Sequence, residues 1–134
     1  MPSEVIHDTE TITVWFDPGN MLVRHKIKKF IYGDDFWTGL AVGADKFVEK
    51  GCRKYLSDDE NSSALRDEDV QWADEHWQSK MQAGGLKYWA IVTPTKIVGR
   101  LPFKRITERY RDLGVTVQMF DNADDAFAWL VAQQ

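Results

Sequence analysis

The side chains that most often carry out enzyme chemistry are few and widely separated in this sequence. His7, His25 and His76 lack the spacing of a metal site, and the helix predicted around the last has no second histidine to complete a zincin motif. The only cysteine, Cys52, lies in a predicted strand, which favours a buried structural thiol. No Gly-x-Ser-x-Gly elbow, P-loop or dinucleotide-binding glycine motif occurs. The sequence therefore predicts no catalytic set, no cofactor and no metal site.

An acidic segment runs from Ser57 to Asp69, where six carboxylates face one arginine and give a net charge of −5. Its oxygen-bearing residues over Asp59–Ser63 are typical of the start of a calcium loop. Ala64, however, stands where that loop needs glycine, and Val70 where it needs a bidentate glutamate. An EF-hand site is therefore excluded, which leaves a weak nonspecific cation site or a solvated acidic loop.

Tryptophan is unusually abundant, with six residues among 134. Trp72 and Trp77 are five residues apart, about 140° around a helix, and so cannot share one face. If Trp77 belongs to the core, Trp72 and His76 point elsewhere, and Trp37 sits beside the apolar stripe of the preceding helix. We predict that Trp37, Trp72 and His76 pack in the core, line an apolar pocket, or form a dimer or partner surface.

Four basic residues in the third predicted helix form a candidate anion-binding face. Arg105 and Arg109 are four residues apart and share a face, and Arg100 and Lys104 add positive charge nearby. Charge runs more often form solvated faces. The sequence leaves both interpretations open.

Composition limits the remaining function classes. A chain of 134 residues predicts a single domain over 1–134, with residues 1–9 frayed. Aromatic residues make up 13% of the chain, which excludes disorder, and a net charge of −4 argues against nucleic-acid binding. No apolar run reaches the roughly 18 to 20 residues of a membrane span, and no signal peptide is recognisable. We therefore predict a cytoplasmic protein with no membrane span.

The hydropathy pattern predicts nine elements in the order β-β-α-β-α-β-α-β-α. Predicted strands cover Thr11–Phe16, Met21–Tyr32, Cys52–Ser57, Lys87–Thr93 and Val115–Met119, and helices begin near Asp34, Asp67, Ile97 and Asn122. A Pro-Gly turn joins the first two strands as an antiparallel hairpin, and the later alternation implies parallel strands. Gly39 and Gly43 indicate close packing of the first helix. The predicted fold is α/β: a mixed five-stranded sheet, with one antiparallel hairpin strand and four mainly parallel strands, and four helices.

This order resembles the STAS superfamily, the fold of bacterial anti-sigma-factor antagonists. It is similar in particular to the stand-alone STAS-like proteins of bacteria, which are sometimes grouped with the CRAL-TRIO fold of lipid carriers. Three stretches carry the resemblance: Gly33–Trp37 after the second strand, Asp67–Trp72 at the start of the second helix, and Phe120–Leu130 at the end. The resemblance covers about residues 10–132.

The resemblance also implies a candidate phosphorylation site. Antagonists of that superfamily carry a phosphorylatable serine in an Asp-Ser-Ser/Thr-Gly motif after the third strand. Ser62 and Ser63 occupy the corresponding loop here, without the directly preceding aspartate and without the glycine. The six surrounding carboxylates would repel a phosphate, so a structural role for these two hydroxyls is the alternative.

The resemblance and the lack of a catalytic set together predict a non-enzymatic cytosolic regulatory or protein-interaction module. It would bind a protein partner or a second copy of itself through the second helix and the acidic loop. The alternative is a carrier or sensor of a small apolar molecule, which the surplus tryptophans and the likeness to lipid carriers suggest.

Overall fold

The computed structural model describes residues 3–62, 65–94 and 97–133. Within these residues the strands and helices follow one another in this order: β1 (Glu4–Asp8), β2 (Ile12–Asp17), β3 (Leu22–Ile27), α1 (Gly33–Lys50), β4 (Lys54–Asp58), α2 (Asp67–Trp72), α3 (Gln78–Ala83), β5 (Tyr88–Val92), α4 (Ile97–Asp112), β6 (Thr116–Phe120) and α5 (Ala123–Ala132). The predicted α/β class and the alternation of strands with helices are confirmed.

The strands form one mixed sheet in the order β1-β2-β3-β4-β5-β6. β1, β2 and β3 pair antiparallel, and β3 to β6 pair parallel. The prediction of five strands is wrong, because residues predicted to fray form a sixth, β1. Asp8 anchors that strand: it accepts hydrogen bonds from Thr13 Oγ1 at 2.8 Å and from Lys28 Nζ at 2.9 Å. Val5 and Ile6 alone gave too short an apolar pattern to reveal it.

The junction between β3 and α1 also differs from the prediction. β3 ends at Ile27 instead of Tyr32, and the exposed rings of Phe30 and Tyr32 stack at 5.5 Å between centroids. The N-cap of α1 is Tyr32, just before the predicted start near Asp34, and it makes no side-chain capping bond. Gly33 is the first residue of the helix, and its N–H donates to the carboxylate of Asp69, in α2, at 3.2 Å.

Helices cover both faces of the sheet. The first four helices pack on one face of the sheet, which we call the α1 face. They cover a large core rich in aromatic side chains. The last helix, α5, packs on the opposite face over a small apolar cluster, which we call the α5 face. The predicted close packing of α1 is confirmed: a Cβ on Gly39 would lie 3.0 Å from Ile12, and one on Gly43 3.2 Å from the Tyr55 hydroxyl.

The second predicted helix, about Asp67 to Ala83, contains a π-helical turn at Ala73–Trp77. The N–H of Gln78 bonds to the carbonyl of Ala73, five residues back. Such turns widen a helix by one residue and are frequent at functional sites. This turn lies over the carboxyl ends of the parallel strands and lines the pocket described next.

Candidate functional site

A pocket of about 70 Å³ lies beneath the π-helical turn, at the carboxyl ends of β3 and β4, and Trp89 of β5 also lines it. In open α/β sheets this edge is the usual place for a ligand. The lining is mostly apolar or aromatic, with a few polar side chains: His25, Ile27, Phe36, Leu40, Ser57, Asp59, Leu65, Val70, Ala73, Asp74, Trp77, Trp89 and Tyr110. The strand residues among them are buried, whereas Leu65, Val70, Ala73 and Asp74 are half-buried and form the mouth.

A buried hydrogen-bonded chain of three side chains borders the pocket floor. His25 Nδ1 lies 2.7 Å from the Tyr55 hydroxyl, and His25 Nε2 lies 3.0 Å from Asp59 Oδ1. Burial, together with the nearby charge of Asp59, raises the pKa of the Tyr55 phenol, so this hydroxyl stays protonated. The parallel register sets His25 of β3 beside Ser57 of β4.

Two further polar contacts border the pocket. Trp89 Nε1 donates to Ser57 Oγ at 2.8 Å. At the mouth, Arg109 of α4 forms an ion pair of 3.0 Å with Asp74 of the π-helical turn. The indole N–H of Trp77 is buried and has no hydrogen-bond partner among the described residues.

The predicted trio of Trp37, Trp72 and His76 comes together beside this pocket. The indole rings of Trp37 and Trp72 stack at 5.8 Å with an interplanar angle of 12°, and His76 lies 5.5 Å from Trp72. Trp72 and Trp77 contact different neighbours, Trp37 for the former and the Tyr55 ring for the latter. The two indoles are half-buried and pack against the core of the α1 face, whereas His76 is exposed.

Arg66 and Asp69 link that trio to the exposed Phe30 and Tyr32, and the five residues together are called the aromatic surface: Phe30, Tyr32, Trp37, Trp72 and His76. The guanidinium of Arg66 lies 5.0 Å over the Tyr32 ring and 3.7 Å from the carboxylate of Asp69, which bonds to Trp37. The surface connects the β3–α1 junction with α2.

Asp69 holds the aromatic surface together, a role that sequence reasoning missed. Its carboxylate is fully buried, accepts a 2.8 Å hydrogen bond from Trp37 Nε1, and lies 3.7 Å from Arg66. It also accepts the first N–H of α1, as described above. The segment looked uniformly acidic in the sequence, yet this carboxylate, like those of Asp58 and Asp59, is buried and accepts hydrogen bonds inside the protein.

The remaining candidate residues are placed separately. Lys104 and Arg105 are exposed, and Arg109 forms the ion pair with Asp74. The side chain of Arg100 lies outside the described part of the structure. Ser62 is buried in the loop after β4, where its N–H bonds the carbonyl of Asp59 at 3.0 Å, and Ser63 lies outside the described residues. The anion-binding face and the phosphorylation site remain predictions.

Over the described parts of the chain, no group of three or more histidine, cysteine, aspartate or glutamate residues could hold a metal ion. In the acidic loop, Asp59 is engaged by His25, and Asp58 accepts the N–H of Glu60 at 3.3 Å. No helix within 3–62, 65–94 and 97–133 is long and apolar enough to cross a membrane.

Two solved structures have a similar fold. One is a candidate anti-sigma factor antagonist from Thermotoga maritima, with a TM-score of 0.53, 15% identity, and coverage of 96% of this chain and 92% of that one. The other is an uncharacterized protein of the DUF3478 family with a SpoIIAA-like fold, from Shewanella loihica, with a TM-score of 0.54, 13% identity, and coverage of 92% and 97%.

Comparison by sequence gives no such match. No protein-family model matches the sequence, and no curated protein is detectably similar to it. At 13% to 15% identity the structural likeness shows the fold alone. The chain has a STAS-like fold, as the sequence resemblance predicted.

Proposed function

We propose that this protein is a non-enzymatic regulatory module of the cytoplasm that binds a protein partner through the aromatic surface. The observation that carries this proposal is the exposure of Phe30 and Tyr32, at 50% and 54%, beside the stacked Trp37 and Trp72. Contiguous exposed apolar side chains mark interaction sites, and tryptophan and tyrosine are enriched at interface hot spots. A candidate anti-sigma factor antagonist shares the fold, which supports a regulatory role.

The charges around the aromatic surface favour a basic partner. The bond between Gly33 and Asp69 brings the first turns of α1 and α2 together, and those turns carry the exposed acids Asp34, Asp67 and Glu68. Glu68 is paired with Arg66 at 2.6 Å, which leaves Asp34 and Asp67 to set the local charge. Opposite charges at the rim of an interface steer association and suppress wrong partners. The partner is therefore expected to present an apolar centre with lysine or arginine around it.

Photocrosslinking from a single site tests this proposal. A photoreactive phenylalanine analogue replaces Tyr32 in the full chain, and the protein is irradiated in cells that express it naturally. We expect a discrete adduct that mass spectrometry identifies. An adduct of twice the monomer mass identifies self-association, and any other mass identifies a different partner.

The control places the same analogue at Leu113, which is 47% exposed and follows α4 at the opposite edge of the parallel strands. We also expect Phe30→Ala to reduce the Tyr32 adduct several-fold while leaving the fold intact, because Phe30 is half exposed. Equal adducts from positions 32 and 113, or none from position 32, would contradict the proposal.

A further inference from the structure

The pocket beneath the π-helical turn has the properties of a ligand site separate from the aromatic surface. We propose that it binds a compact, uncharged molecule that joins a small apolar body to one hydroxyl or amide group. The pocket's volume and lining specify the apolar body, and its polar atoms specify the hydrogen-bonding group. The cost of bringing a charge into a mostly apolar lining specifies the lack of charge.

The size and lining of the pocket define the apolar body. Its volume of about 70 Å³ is near half of the roughly 150 Å³ of an engineered cavity that accepts benzene. Trp77, Trp89 and Tyr110 form one wall, with ring centroids 4.7 to 6.4 Å apart, and Phe36 and Leu40 contribute to the rest. A branched aliphatic group of four carbons suits this space, whereas a long acyl chain does not.

Unused hydrogen-bonding capacity at the floor defines the polar group. Asp59 uses Oδ1 for His25, and no described residue donates to its Oδ2. Ser57 Oγ accepts from Trp89, and no described residue accepts its hydroxyl hydrogen. A ligand hydroxyl or amide can both donate to Asp59 and accept from Ser57. Hydrogen bonds to such a ligand would use capacity that the described side chains leave free.

The partners of the pocket's carboxylates and its apolar lining favour an uncharged ligand. Its two carboxylates, Asp59 and Asp74, already face His25 and Arg109 at 3.0 Å. An anion would be repelled by both carboxylates. A cation would have to compete with the basic partners already present and to lose its hydration in a mostly apolar lining.

A matched series of small probes tests the proposal on the unmodified protein. Isobutanol, isobutylamine and isobutyrate share one branched body and differ in charge. Each is titrated while the indole N–H signals of the six tryptophans are followed by NMR. We expect saturable shifts for Trp77 and Trp89 with isobutanol, in the millimolar range, at an affinity at least about tenfold above that for either charged probe.

The two tryptophans on the α5 side of the sheet, Trp15 and Trp129, serve as internal controls and are expected to stay unchanged. Ala73→Leu fills the mouth of the pocket and should abolish the shifts. Ala83→Leu, the same substitution at an exposed position ten residues further along, should leave them intact.

Isobutanol that fails to saturate the Trp77 and Trp89 signals would overturn the proposal, as would tighter binding of a charged probe. Wild-type affinity in a folded Ala73→Leu variant would do the same. Because the probe series uses the wild-type protein, the test does not depend on whether a variant folds. The crosslinking result from Tyr32 is independent of all these outcomes, so either proposal can fail alone.

Discussion

The two faces of the sheet are built on different principles. The α5 face holds a small cluster of aliphatic side chains, Leu22, Leu56, Ala90, Val92, Ala126 and Leu130, all of them fully buried. The α1 face is larger, rich in aromatic rings, and contains the buried chain of Tyr55, His25 and Asp59. The α1 face places this chain of hydrogen-bonding side chains beside a mostly apolar pocket.

We expect the aliphatic cluster of the α5 face to contribute mainly to stability and the polar chain of the α1 face mainly to ligand binding. An aliphatic cluster stabilises the fold through burial alone, at roughly 25 cal/mol per Å². A buried polar chain contributes less net stability, because each bond replaces a bond to water. Polar groups beside a cavity are therefore better explained by binding than by stability. Substitutions on the α5 face are expected to change the free energy of unfolding and to leave the pocket unchanged.

The largest effect is expected from Leu130→Ala on the α5 face. Leu130 is fully buried, and leucine-to-alanine changes in a core cost about 2 to 5 kcal/mol. Urea unfolding measures the loss. The neighbouring Val131→Ala, at a position 37% exposed, should change the free energy of unfolding by less than about 0.5 kcal/mol.

The folded fraction of Leu130→Ala should still give the isobutanol shifts of Trp77 and Trp89. If those shifts disappear while the variant remains folded, the two faces are coupled, and the separation drawn between them is wrong.

A smaller effect is expected from Tyr55→Phe on the α1 face. This change removes the hydroxyl that lies 2.7 Å from His25 Nδ1 and leaves that nitrogen buried without a partner. We expect a loss of about 1 to 3 kcal/mol in the free energy of unfolding. Tyr32→Phe, at a ring 54% exposed, is the matched control and should have almost no effect. Equal stability of Tyr55→Phe and the wild type would show that the buried chain is not a stabilising unit.

Gly43→Ala tests how closely α1 packs against the Tyr55 hydroxyl. The added Cβ would lie 3.2 Å from the Tyr55 hydroxyl and 3.3 Å from Val14 Cγ1. The crowding outweighs the helix-forming gain of alanine, and the expected net loss is about 1 kcal/mol. In the Tyr55→Phe background the nearest atom is absent, so the loss should shrink. A double-mutant cycle measures this coupling, and strictly additive losses would place the strain elsewhere.

Local sequence patterns were enough to predict where α1 ends and where α5 begins. Asn122 caps α5 as expected, with its Oδ1 accepting the Asp125 N–H at 2.9 Å. Gly51 ends α1 with a left-handed φ of 69°. His25 and Ile27, two residues apart in β3, share one face of the sheet, which follows from the two-residue period of a strand. Periodicity and capping act over a few residues, which is why they can be interpreted from one sequence.

The site could not be predicted in this way because it joins distant positions. His25 meets Tyr55 and Asp59, which lie 30 and 34 residues further along the chain. Trp37 reaches Asp69 across 32 residues. Strand register and helix placement decide these contacts, and no spacing rule encodes them. The π-helical turn is equally hidden, because Val70, Ala73 and Trp77 also fit the apolar stripe of an ordinary helix.

The last prediction concerns Cys52, the one thiol of the chain, which lies between α1 and β4. Burial raises the pKa of this thiol to about 11, so little thiolate exists at pH 8, and its side chain is almost inaccessible. We expect a thiol reagent to label the native protein extremely slowly and the urea-unfolded protein rapidly and stoichiometrically. If the two faces open together, Leu130→Ala should accelerate labelling of the native protein about tenfold for each 1.4 kcal/mol that it removes from the free energy of unfolding. A smaller acceleration would mean that the α5 face opens while the α1 face, with its pocket, stays closed.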